Sequence, residues 1–127
     1  MALMKVRKVK DVVILDIIGQ LTVGGAAASG PGGSSMLGQK VHDLAEAGTR
    51  KIILNLNDVT YVDSAGLGQL VRAHTSACRY GAELKLLNPA DPIFAVLRVT
   101  KLESVFDIYN KERAAVASFT EKSAKAN

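Results

Sequence analysis

Asp63 and Ser64, followed by Gly66, Leu67 and Gly68, stand between an apolar run that ends near Leu56 and a segment with helical spacing. A serine hydroxyl in such a place can cap a helix, accept a phosphoryl group, or attack a carbonyl if a base activates it. Helix N-termini carry unpaired amides and the positive end of the helix dipole, so the position also suits an anion. Two glycines in a first turn cost roughly 1 kcal/mol each relative to Ala. A cap alone does not require them, and their bareness points to close approach by something else.

The nucleophile chemistry has little support. The Gly-x-Ser-x-Gly elbow of serine hydrolases is absent, because Val62 stands where its first glycine belongs. Only two histidines exist, His42 and His74, and spacing places His74 on the packed face of its helix and His42 off the packed stripe of its own. Cys78, the only cysteine, falls on the same stripe as His74 and reads as a small hydrophobe. One cysteine allows no internal disulfide and no cysteine-rich metal site.

A glycine-rich stretch from Gly19 to Ser35 invites comparison with a phosphate-binding loop. The Gly-Lys-Ser/Thr ending is missing, since Gln39 separates Gly38 from Lys40, and no Gly-x-Gly-x-x-Gly turn follows a strand. Residues 24–35 therefore read as a loop too poor in apolar side chains to fix a conformation.

The elements that position Ser64 follow from periodicity. Met4–Val9 and Val12–Ile18 read as strands joined by a tight hairpin at Asp11. Ser35–Ala47 has Leu37, Val41, Leu44 and Ala45 on one helical stripe and Gly48 at its end. Lys51–Leu56 is almost continuously apolar, as a central strand covered on both faces must be. A connection over 57–63 leads to a helix over 65–80, with Leu67, Leu70, Val71, His74 and Cys78 as its apolar stripe. Glu83–Leu87 is a further strand, and Pro92–Val99 a short helix with Asp91 at its N-cap. Val105–Tyr109 reads as an edge strand, and a final helix from Asn110 to Lys122 packs through Ala115, Val116 and Phe119. The expected class is α/β, with a mixed four- to five-stranded sheet and about four helices.

The chain has 127 residues, the size of one domain, and 48% of them are hydrophobic. The longest apolar stretch, Val12–Gly19, is broken by Asp16 and is far short of the roughly 20 residues of a membrane span. The N-terminus enters a strand pattern without a leader-like apolar run, so a cytoplasmic protein without membrane insertion is expected. The net charge is +4, with three Tyr, three Phe and no Trp. Basic residues are not interleaved with aromatics, which argues against direct nucleic-acid binding.

The segment VTYVDSAGLGQL, Val59–Leu70, resembles the signature of STAS-domain anti-sigma factor antagonists, in which Asp-Ser, a small residue and Gly-Leu-Gly open the helix after the central strand. The resemblance covers about residues 4–122 and includes the hairpin leading to Gly19, the strand Ile52–Asn57, Leu84–Asn88, and Val96–Phe106. It implies a single STAS domain over 1–127 that works by protein binding and not as an enzyme. The partner implied is an anti-sigma factor that is also a serine kinase; the antagonist binds it and frees a sigma factor. The kinase carries the ATP, so this chain needs no cofactor and no metal of its own. By position the phosphorylated serine is Ser64, with Asp63 orienting the site and, together with Ala65, Gly66, Leu67 and Gly68, in the docking surface, and a phosphatase resetting the switch. Ala65 stands where many relatives carry a second hydroxyl, which leaves Ser64 as the acceptor. Thr22 follows Gly19-Gln20-Leu21 where kinase substrates of the family carry an acidic residue, and belongs to the same surface. The alternative is a STAS scaffold, or a module of a transport system, that is not phosphorylated.

Overall fold

The computed structural model describes residues 3–21 and 36–125. Thr22 and the glycine-rich 24–35 stretch lie outside these described residues. The elements, in order, are β1 (Leu3–Val9), β2 (Val12–Leu21), α1 (Met36–Glu46), β3 (Lys51–Val62), α2 (Ser64–Arg79), β4 (Glu83–Leu87), α3 (Asp91–Val99), a 3-10 turn at Leu102–Ser104, β5 (Asp107–Tyr109) and α4 (Glu112–Lys125).

One five-stranded sheet runs in the order β1-β2-β3-β4-β5. β1 and β2 form an antiparallel hairpin whose last pair is Val9 with Val12, and Lys10 takes the turn at φ 56°. The other three pairings are parallel. Parallel neighbours need crossovers, and α1, α2 and α3 supply them.

The sheet is mixed, as expected, and its two faces are covered unequally. Alternation sends Val13, Leu15 and Ile17 of β2, Ile52, Leu54 and Leu56 of β3, and Leu84 and Leu86 of β4 to one face. There they pack against Leu37, Val41 and Ala45 of α1, Leu70, Ala73 and Ala77 of α2, and Ile93 and Leu97 of α3. The opposite face buries Val12, Ile14, Ile53 and Leu87 under Ala115 and Phe119 of α4. A central strand buried on both sides explains the unbroken Ile52–Leu54 run.

Lys85 is the polar exception beneath α4. It is 1% exposed, donates to Asp107 at 3.2 Å, and lies 4.8 Å from the Phe119 ring centroid and 5.3 Å from that of Tyr109. On the same face the Arg7 guanidinium bridges Asp16 and Glu112, and Asn55 donates to Asp16 at 2.7 Å. This network ties the hairpin, the central strand and the start of α4 together.

Several boundaries differ from the periodicity. β3 continues six residues past Leu56 to Val62. It does so by two register shifts against β2, one between Asp16 and Ile18 and one between Gly19 and Gln20, at each of which β3 gains a residue. Val59 and Val62 stay buried while Asp58, Thr60 and Tyr61 face out. β2 likewise runs through Gly19, at φ 109°, to Leu21. Asp91 is the first residue of α3 and not its cap; Ala90 holds that place with no side-chain bond.

Candidate functional site

Parallel strands gather functional groups at their carboxyl ends, and the Asp63–Gly68 segment sits at the carboxyl end of β3. The extension of β3 puts Tyr61 beside Gln20 and Val62 beside Leu21, so the end of β2 flanks the start of α2. Two bonds brace this rim. The Thr60 hydroxyl donates to the Gly19 carbonyl at 3.3 Å, and the Asn88 amide group donates to Asn57 at 2.7 Å.

Asp63 is the N-cap of α2, in extended conformation at φ −102° and ψ −174°. Its carboxylate accepts from the Gly66 N–H at 2.8 Å, and its carbonyl accepts from the Leu67 N–H at 2.9 Å. The Leu67 bond is the first of the helix ladder, and the Gly66 bond satisfies one of the four amides that a helix start leaves without partners. Among the described residues, the N–H groups of Ser64 and Ala65 remain open donors. No acidic residue lies within the first turn of the 16-residue helix, so the positive end of its dipole is offset only by the cap.

Ser64 is the first residue of α2 and is exposed. Asp63, Ala65, Leu67 and Gly68 are half-buried and Gly66 is buried. Leu67 packs against the main core. The segment therefore divides into an outward edge, Ser64 and Gly68, and an inward edge that anchors the helix. A Cβ built on Gly68 meets only the Arg72 guanidinium, at 3.9 Å, an ordinary van der Waals distance. Nothing among the described residues requires glycine there.

The buried stripe of α2 is Gly66, Gln69, Leu70, Ala73 and Ala77; of the expected Leu67, Leu70, Val71, His74 and Cys78, Leu70 is buried and the other four lie one position past buried residues. Small residues face the sheet because the helix lies close against it, and Val71 is left 38% exposed. Cys78 is exposed, contrary to its expected burial, and its sulfur lies 3.6 Å from His74 Nε2. His74 is half-buried with its ring edge-on to Phe106 at 5.2 Å. His42, expected to be exposed, is half-buried against the Tyr80 ring at 5.4 Å. Both histidines belong to the helices' packing and not to the rim around Ser64. Among the described residues, no cluster of three or more His, Cys, Asp or Glu is arranged to hold a metal ion, and no helix is long and apolar enough to cross a membrane.

A capped helix opening with an exposed serine at the carboxyl edge of a β1-β2-β3-β4-β5 mixed sheet has a match among known families. The family model of the STAS domain matches residues 4–115. The chain belongs to the STAS domain family. It is 33% identical over 81 residues to the anti-sigma-B factor antagonist of Bacillus subtilis strain 168, an overlap covering 64% of this chain and 73% of that protein. A crystal structure of a candidate anti-sigma factor antagonist from Thermotoga maritima superposes with TM-score 0.77 at 28% identity, covering 91% of this chain and 92% of the other. The Bacillus cell fate determinant SpoIIAA in its phosphorylated form matches with TM-score 0.67 at 17% identity, over 92% of this chain and 99% of that one. At that identity the likeness to SpoIIAA establishes the STAS fold alone.

Proposed function

We propose that this STAS domain is an anti-sigma factor antagonist. It binds a serine-kinase anti-sigma factor through the start of α2 and the adjoining end of β2, and is released when Ser64 is phosphorylated. The observation that carries the reading is Ser64 itself, exposed as the first residue of a helix whose cap leaves the Ser64 and Ala65 amides open. Binding sequesters the kinase and frees a sigma factor for transcription. Thr22 and the following glycine-rich stretch adjoin the same surface by sequence position.

The chemistry asked of this chain is that of a substrate. Ser64 Oγ attacks the γ-phosphorus of ATP held by the kinase. The new O–P bond forms as the bridging bond to the β-phosphate breaks, ADP leaves, and the hydroxyl proton passes to a base of the kinase. The product carries about −1.5 to −2 charge at neutral pH. In the free chain the open amides and the helix dipole stabilise that charge. In a packed interface it is desolvated and stands beside the Asp63 carboxylate, which weakens the complex. A phosphatase restores the binding form.

The test is binding of the partner kinase by Ser64 variants, measured by calorimetry without nucleotide. Ser64→Ala should bind like the native chain and stay bound when ATP is added. Ser64→Asp should bind at least about tenfold more weakly, since a charge left unpaired in an interface costs more than 1.4 kcal/mol. Native affinity for Ser64→Asp would refute the charge switch.

A further inference from the structure

Among the described residues β1 is an edge of the sheet, paired with β2 alone, and the outer side of Leu3–Val9 presents unpaired backbone groups. Such an edge is a template for another strand. Met4, Val6 and Lys8 stand opposite Ile17, Leu15 and Val13, so they share the face on which α1, α2 and α3 pack. In the middle of that row Val6 is 50% exposed. Beside Lys8 a cavity of about 410 Å³ opens between the hairpin and the turn after α1, lined also by Val13, Ala47, Gly48 and Arg50.

The charged side chains of Leu3–Lys10 are all basic, with Asp11 near Lys8 and Asp16 near Lys5. Lys5, Lys8 and Lys10 are exposed, and no ion pair among the described residues engages them. The nearby carboxylates are already engaged, Asp11 with Lys51 at 2.7 Å and Asp16 with Arg7. A second copy is a poor occupant. Antiparallel self-pairing about Val6 sets Lys5 of one copy against Arg7 of the other, and like charges directly opposite destabilise a strand pair.

We propose that the outer edge of β1 is a docking strip for an acidic, extended segment of a partner protein, which adds as a strand along Leu3–Val9. Its backbone takes up the free ladder groups, carboxylates on its two faces meet Lys8 on the side of α1–α3 and Lys5 on the side of α4, and one side chain rests on Val6 toward the cavity beside Lys8. The strip is separated from β3 by β2, so it is independent of the Ser64 reading and leaves the start of α2 open.

The probe is a short N-acetylated, C-amidated peptide of repeated Glu-Glu-Thr-Thr, which puts carboxylates on both faces of an extended strand, added to the full chain and followed by amide NMR shifts and hydrogen exchange. Shift changes and slowed exchange should concentrate at residues 3–9, and affinity should fall as salt rises to about 0.3 M. The Lys5→Glu/Lys8→Glu variant should bind about tenfold more weakly, each exposed pair contributing a modest factor and each reversal adding repulsion. A Lys-Thr peptide should not bind. Should the reversed chain fail to fold, Lys5→Gln/Lys8→Gln and the salt series on the native chain decide the matter. The proposal is overturned if the shifts map elsewhere, if charge reversal leaves affinity unchanged, or if residues 3–9 are already protected without peptide in a dimer of the chain.

Discussion

Replacing Gly68 by Ala separates what the fold needs at the start of α2 from what a partner needs. Gly68 is the fifth residue of the helix, with no positive φ, and among the described residues a Cβ there would meet only Arg72 Nη1, at 3.9 Å. The substitution removes the excess backbone freedom of glycine in the unfolded chain and creates no clash, so it should stabilise by about 0.5–1 kcal/mol. That corresponds to roughly a two- to fivefold larger folding constant and a Tm about 2–4 °C higher. The same methyl stands on the outward edge of the segment, where a closely packed partner must accommodate it at a cost of about 1–3 kcal/mol. Affinity for the anti-sigma factor should therefore fall roughly five- to 150-fold while stability rises. Urea denaturation and titration calorimetry on one preparation read both quantities. Destabilisation by Gly68→Ala would refute the geometry assigned to the helix start, and unchanged affinity would remove Gly68 from the docking surface.

Asp16 makes stability depend on acid. Its carboxyl is held below the usual carboxylate range first by the hydrogen bonds from Arg7 and then by that from Asn55, against the opposing effect of partial burial. A folded pKa below the unfolded one means that the contribution is fully present above about pH 4 and is lost as the pH falls through the folded value. Asp16→Asn should thus be less stable than the native chain at neutral pH, with the difference closing below about pH 4 in urea titrations; a constant difference down to strong acid would exclude this linkage. Lys85 is a buried ammonium whose desolvation is offset by Asp107 and two aromatic rings. Lys85→Met should keep stability within about 1 kcal/mol of the native chain or raise it, whereas Lys85→Ala should lose about 2–4 kcal/mol by leaving a cavity under α4. Equal losses for both in thermal denaturation would mean that the ammonium's contacts, and not its volume, hold this place.

The elements were legible where one period dominates. The alternation of β1 and β2, the double-sided burial of Ile52–Leu54 and the spacing of Ala115 and Phe119 in α4 each translate into one physical arrangement. The phase of α2 was legible at Leu70 alone, because its other inward residues, Gly66, Gln69, Ala73 and Ala77, rank in hydropathy below Val71 and Cys78 although small side chains let the helix approach the sheet. The true length of β3 was hidden by Asn57 and Asp58, polar residues that sit in the strand as its register shifts against β2. At the site, the Asp63 cap and the exposure of Ser64 follow from the side-chain chemistry of a helix start. The burial of Gly66 and the inward packing of Leu67 required the helix orientation, which the three-residue run Gly66–Gly68 does not encode. Thr22, placed in the docking surface by family resemblance, adjoins it by sequence position alone.

The central claim is that Ser64 is the acceptor of a phosphoryl group from a serine kinase that this chain binds. The direct measurement is incubation with the serine-kinase anti-sigma factor, ATP and magnesium, followed by site mapping of the modified peptide by mass spectrometry and sizing of the complex. The account predicts one phosphoryl group on Ser64, none on Ser64→Ala, and dissociation of the complex in step with modification. A stable complex with no phosphate on Ser64, or phosphate on another residue with the complex released, would contradict it.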